Sequence, residues 1–495
     1  MFLPLLAAGA AALAPSAADR IAEADLRPHV AELASDAYEG RAPGTAGEGK
    51  TIGYIATAWA RAGLKPAGPG GSWYQPVTLV RRAPHASRAT WRAGGKRVRL
   101  DEQDYVLTAR DASGALKRAP IVFVGYGRPL PVGTRLDGVV ALVFGAAPPA
   151  LTDVLDPEER RAQLVAAGAA AVLWAVPDAP FPAIAEAQRQ RPRLQVESAA
   201  APLVEGYVGE GVARRLMNAA GADDGALLRA AAGPGFRPVP LRATLAAKLT
   251  SHLQRFTSHN VVGVLPGAGR PNEHVAFTGH WDHLGLCRPE GAPDRICNGA
   301  VDNASGIAAM IEVAERLGRG GPRPERSILF IATTAEENGL LGARAFAARP
   351  TVPLPGIVAL FNIDTLAVGP RGAAVAMVGR GRHPGLDAAV DRVAAALGRV
   401  SDRDEEANAF YQRQDGYEFV RAGVPAVMAG GGFTDMGVLQ RFLRGVYHGP
   451  DDEYSDGLEL GGAAEDATLH VALGRAFADP AFYPTPAPAA PGGRP

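Results

Sequence analysis

The chain has 495 residues, 47% hydrophobic and 21% charged, an ordinary globular composition and too much length for one small domain. Lys plus Arg and Asp plus Glu each number 51, so no net field exists to gather nucleic acid or an anionic membrane. Any charged partner has to be held by local groups.

Phe2 to Ala14 is apolar but too short to span a bilayer, and Ser16-Ala17-Ala18 before Asp19 is a small-x-small cleavage pattern. A signal peptide over 1–18 is therefore expected, with export to the periplasm or beyond, and no later run reaches membrane-spanning length. From Ala24 to Leu64 the apolar spacing is helical. Short strands follow at Pro76 to Val80, Ile121 to Val124, Val139 to Phe144 and Val172 to Val176, with one helix from Pro157 to Ala167. This change of character predicts a small β-rich α/β domain inserted at 84–240.

Regular alternation comes next. Strands are expected at Asn260 to Leu265, His274 to Thr278, Ser327 to Ala332, Ile357 to Ile363 and Val424 to Met428. Helices are expected at Ala304 to Leu317, Leu340 to Ala348, Leu386 to Leu397 and Ala463 to Ala478. Apolar strands between helices predict an α/β fold: a mostly parallel central sheet with helices on both faces. It is assembled from 19–83 and 241–481, and the Pro/Ala/Gly-rich stretch 482–495 reads as a disordered tail.

In such sheets functional groups gather beyond the carboxyl ends of strands. Those positions hold Gly279-His280-Trp281-Asp282-His283, Thr333-Thr334-Ala335-Glu336-Glu337 and Asp364. Asn298-Gly299-Ala300-Val301-Asp302-Asn303 leads into a helix, and Tyr447-His448 lies in a late loop. Zinc takes imidazole nitrogen and carboxylate oxygen, and a pair of ions sharing one carboxylate needs five ligands. His280, Asp302, Glu337, Asp364 and His448 supply five. Glu336 is placed to accept a proton from an attacking water, and Asp282 to hold the second nitrogen of His280. His283 is open between a structural and a substrate-facing role. Cys287 and Cys297 are open between a local bridge and two separate thiols.

The order His-x-Asp, Asn-Gly-Ala-x-Asp-Asn-x-Ser-Gly, Glu-Glu-x-Gly-Leu-x-Gly, Asn-x-Asp and Tyr-His resembles the two-zinc aminopeptidase Y family, with aminopeptidase S and the glutamate carboxypeptidases. Glu39-Gly40-Arg41 with Gly44-Thr45 resembles that family's amino-terminal segment, and residues 119–180 resemble its protease-associated insert. The resemblance implies one zinc on His280 and Asp364, another on Glu337 and His448, and Asp302 bridging them. It further implies Glu336 as general base, Tyr447 as a donor to the developing oxyanion, and a cis peptide between Asp302 and Asn303. Many members read Ser-Asp-His where this chain has Gln414-Asp415-Gly416, a departure that bears on substrate preference.

The implied activity is removal of an amino-terminal residue from a peptide. The alternatives are a carboxypeptidase or amidohydrolase on the same two zinc ions, or a non-catalytic binding protein of the same fold. Arg380, Arg382 and Arg413 are candidates to hold a substrate α-carboxylate, while Asp404, Glu405 and Glu406 could favour an amine. Gly44 to Thr51 fits the phosphate-loop pattern, but a polar, turn-rich stretch precedes it where a buried strand is needed. No Gly-x-Ser-x-Gly elbow occurs, so serine hydrolase chemistry has no support.

Overall fold

The computed structural model describes residues 16–190, 193–197, 204–319 and 323–486. The expected signal segment through residue 15 lies outside them. The chain forms two compact units, Met1–Thr78 with Thr257–Pro495, and Leu79–Phe256. The sequence boundaries of 84 and 240 fell inside two long strands, Tyr74–Ala93 and Val239–Leu265.

In the larger unit, Arg270–His280 pairs in parallel with Arg326–Thr333 on one side and Ile357–Asn362 on the other. Ala426–Gly430 extends the parallel set, and antiparallel Ala376–Val378 closes that edge. The end of Val239–Leu265 pairs antiparallel with Arg326–Thr333 and carries Lys65–Pro66 at the far edge. Strand pleating sends Val275 and Phe277 to one core, and Ala276 to another. The first core is covered by Glu23–Leu33, Ala46–Arg61, Ser305–Gly318 and Gly461–Ala478, the second by Leu341–Ala348 and Gly416–Arg421. Hence the strands are apolar on both faces. The helical pattern expected from Ala24 to Leu64 is two helices, because Glu39 and Gly40 adopt positive φ between them.

The smaller unit is α/β. Ser113–Phe123, Val140–Phe144, Ala171–Val176 and Val204–Gly209 are parallel, and Tyr105–Ala109 is antiparallel at the edge. Helices Glu210–Ala219 and Asp224–Ala232 were not foreseen.

The tail reading needs a correction at its start. Tyr483 is buried, its carbonyl accepts from Arg326 Nη1 at 2.6 Å, and Arg392 lies over the Phe482 ring. An arginine with no exposed surface thus fixes the chain past residue 482. Residues 487–495 lie outside the described part.

His470 yields a stability prediction. Its Nδ1 donates to the Asp466 carbonyl at 2.7 Å, and burial pushes it down to about 4. The unfolded imidazole takes its proton near pH ~6.5, so this group's contribution is full above that value and lost as pH falls toward 4. Between pH 7 and 5 it should remove about 2 kcal/mol of stability. Thermal melts of His470→Asn should show a correspondingly flatter acid limb than wild type.

Candidate metal centre

Three neighbouring strands end together. His280 is the last residue of its strand, with Thr333 beside it in register, and Thr278 lies beside Asn362. Asp364 follows two residues later, and Glu336 and Glu337 follow Thr333 within four residues.

Asp302 arrives from a different direction, on the turn Ala300–Ala304 before the helix Ser305–Gly318. Gly299 has φ +60, and a Cβ there would stand 2.1 Å from the Asp302 carbonyl oxygen, so only glycine fits. The Asp302–Asn303 peptide is cis. Asn303 ties the strand ends together: its Nδ2 donates to the Ile363 carbonyl at 3.1 Å, and its Oδ1 accepts from Gly306 N at 3.0 Å and Thr365 N at 3.2 Å. Asp452 holds the turn from below, accepting from Val301 N at 2.9 Å and Asp302 N at 3.1 Å.

All five expected ligands converge. His280 Nε2 lies 3.2 Å from Asp302 Oδ1 and 3.3 Å from Asp364 Oδ1. On the other side of Asp302, His448 Nε2 lies 3.3 Å from Asp302 Oδ2 and 2.8 Å from Glu337 Oε2. Asp302 therefore faces two separate clusters with its two oxygens. Glu336 Oε2 is 4.0 Å from His280 Nε2, beside the first cluster.

Several placements were not legible beforehand. His283 Nδ1 stands 2.6 Å from Glu337 Oε1, fully buried, so Glu337 is flanked by two imidazoles. Asp282 does hold the His280 ring, but through its main-chain carbonyl, which accepts from Nδ1 at 3.0 Å. Its carboxylate, 3.9 Å from that nitrogen, accepts from Glu336 N at 3.0 Å instead. Asp415 lies under the strand end and accepts from Thr333 Oγ1. Arg41 is fully buried and donates to the carbonyls of Leu33, Trp281, Asn298 and Gly299 at 2.5–2.9 Å. It joins the loop after His280 to the loop before Asp302.

The electrostatics match a cation site. Burial opposes charge on His280, yet Asp364, Glu336 and Asp302 raise it well above the ordinary imidazole value. Burial likewise opposes His448, but Asp302 and Glu337 push it up to about 9. Asp302, for all its burial, is held well below the carboxylate range by His280 and His448. Burial, aided by Glu337, raises Glu336 well above that range, and burial pushes Asp282 up to about 8. Buried carboxylates at these separations need positive charge among them. The donor set fits divalent zinc: Nδ1 of His280 is spent on a carbonyl, which leaves Nε2 as a free lone pair toward Asp302 and Asp364. Asp282 Oδ2 is buried without a hydrogen-bond partner, which also fits.

Tyr447 stacks on the His448 ring with centroids 3.7 Å apart. Burial and the nearby carboxylates raise its phenol, which stays protonated as a donor. Beside Tyr447 and Asp364 opens a small, partly open cavity, lined by Phe410, Met428, Phe433, Leu439 and Leu443, with Arg413, Gln414 and Thr365 at its sides.

A layered α/β domain with a carboxylate–imidazole cluster at its strand ends is a recognisable class of metal-centre protein. Residues 260–469 match the model of peptidase family M28, so the chain carries an M28 peptidase domain. The mouse protein named aminopeptidase NAALADL1 is 34% identical over 140 residues, 27% of this chain and 17% of that one. A Mycobacterium tuberculosis protein named probable lipoprotein aminopeptidase LpqL is 29% identical over 36% of this chain and 35% of its own length. The chain thus spans well under half the length of these curated relatives. The solved aminopeptidase from Aneurinibacillus sp. strain AM-1 aligns over 92% of this chain and 94% of its own, at TM-score 0.50 and 18% identity, a likeness of fold.

Proposed function

We propose that the protein is a two-zinc exopeptidase that removes the amino-terminal residue of a peptide. The observation that carries this reading is Asp302, whose two oxygens face two donor clusters, His280 with Asp364 and Glu337 with His283 and His448. Bound there, zinc supplies Lewis acidity that polarises the scissile carbonyl and makes a water acidic enough to deprotonate near neutral pH. Glu336, beside the His280 cluster, would accept that proton and deliver it to the leaving amine. The Asp282 carboxylate fixes the Glu336 backbone, and His283 stands against Glu337. Tyr447 donates to the oxyanion as it forms. The insert is read as a protease-associated domain. Export is part of the proposal, and the Cys287–Cys297 disulfide supports it, since such bonds persist in oxidising compartments.

The apolar cavity suits a hydrophobic side chain on the residue removed. The carboxylates around His280 suit a free α-amine without a dedicated partner. One observation favours the carboxypeptidase alternative. Of the three arginine candidates, Arg380 is spent on Asp391 at 2.9 Å and Arg382 lies over Tyr411. Arg413 lies over the Phe410 ring, but it is exposed beside the cavity and forms no ion pair among the described residues. A peptide with an apolar first residue should therefore be compared with its N-acetylated and C-amidated forms. Acetylation should abolish hydrolysis and amidation leave it nearly unchanged; the reverse pattern makes Arg413 a carboxylate clamp and the enzyme a carboxypeptidase.

A further inference from the structure

The balance of charge over the whole chain hides a local segregation in the smaller unit. The end of the strand Tyr74–Ala93 forms a hairpin with Lys96–Val98. Pleating sends Ala89, Trp91, Ala93 and Val98 into the apolar core, and turns Arg88, Arg92, Arg97 and Arg99 outward, where all four are exposed. Arg92 and Arg97 are directly opposite one another. Like charges in that position destabilise a sheet. Nothing in the hairpin offsets them, because residues 79–100 contain no Asp or Glu.

The adjoining strands continue the pattern. Gly94 N donates to the Arg242 carbonyl at 2.9 Å, which places Val239–Leu265 beside the hairpin. There Leu241, Ala243, Leu245, Ala247 and Leu249 face the same core, while Arg242 and Lys248 are exposed on the other side. Lys248 is opposite Ala115 of Ser113–Phe123, and that strand exposes Lys117. These strands also lack Asp and Glu. None of the seven cations forms an ion pair among the described residues.

We propose that this face docks the protein on an anionic phospholipid surface, with lipid phosphates as the missing counter-charges. Four strands about 4.8 Å apart, with Arg88 and Arg92 about 13 Å apart along one of them, spread the cations over a plane rather than a line. A plane of charge matches a plane of headgroups, and guanidinium matches phosphate in a fork. A nucleic acid strand fits less well. Trp91 and Phe123 both point into the core, so neither gives bases a platform on this face. The inference is independent of the peptidase reading.

The test is sedimentation of the full-length protein with vesicles at low salt, of phosphatidylcholine alone or mixed with phosphatidylglycerol. Binding is expected only to the mixed vesicles. Each basic side chain near an anionic lipid surface contributes roughly fivefold in partition. The variant Arg88→Gln/Arg92→Gln/Arg97→Gln/Arg99→Gln should therefore bind at least about a hundredfold more weakly. A variant of equal charge change at exposed cations elsewhere, Lys65→Gln/Arg288→Gln/Arg323→Gln/Arg444→Gln, should keep most of its affinity. Both variants should keep the wild-type melting temperature within a few degrees. No binding to the mixed vesicles overturns the proposal. So does equal loss in the two variants, which makes the effect one of net charge. Tighter binding to single-stranded DNA than to the vesicles overturns it in favour of a nucleic acid partner.

Discussion

Glu336→Gln is expected to lower turnover by roughly 10²–10⁴-fold while leaving the bound zinc unchanged. The amide keeps the shape of the side chain and the Asp282 anchor at the Glu336 backbone, but cannot take a proton. Glu336 also lies farther from the imidazole nitrogen, at 4.0 Å, than Asp302 or Asp364 do. KM should shift little, since the lost interaction belongs to proton transfer. Should the zinc content fall together with activity, Glu336 is a ligand and its role has to be exchanged with that of Glu337.

Arg41→Met is expected to be the most damaging change outside the donor set. Burial lowers the guanidinium only to about 10, with Asp452 and Asp302 opposing that fall, so it is charged at neutral pH. Methionine fills the space but leaves the carbonyls of Leu33, Trp281, Asn298 and Gly299 without a donor. Orphaned buried carbonyls at about 1–3 kcal/mol each put the loss at about 4 kcal/mol or more. Because two of these carbonyls flank Asp302 and one adjoins His280, zinc should be retained more weakly even in the folded fraction. Arg41→Lys should recover part of both losses, since an ammonium supplies up to three of the donors. Wild-type melting and zinc retention in Arg41→Met would show that the two loops keep their places without it.

Much of the larger unit was legible in the sequence because its strands are buried on both faces and stand out as apolar runs between helices. Arg326–Thr333 and Ile357–Asn362 fall within a residue or so of their expected limits. Tyr74–Ala93 and Val239–Leu265 were not seen at full length, because each exposes one face and interleaves Arg, Thr and Ala with core residues. The tail misled for a different reason: its composition suggests disorder, but Tyr483 is held by a carbonyl bond to Arg326 that no local pattern reveals. In the site, the five residues that converge around Asp302 were legible from motif order at strand ends. The supporting contacts were not. Arg41 binds main-chain carbonyls, which leave no mark in side-chain spacing, and the split between the carbonyl and carboxylate of Asp282 depends on backbone direction. His283 shares a motif with His280, yet only the fold shows that it turns toward Glu337.

The most direct test of the metal centre is the zinc content of the purified protein, measured by atomic emission beside Asp302→Ala. Two zinc ions per chain are expected in the wild type, and fewer than one in the variant, because its missing carboxylate serves both clusters. One ion per chain, or two that survive Asp302→Ala, would contradict a centre built around that bridge.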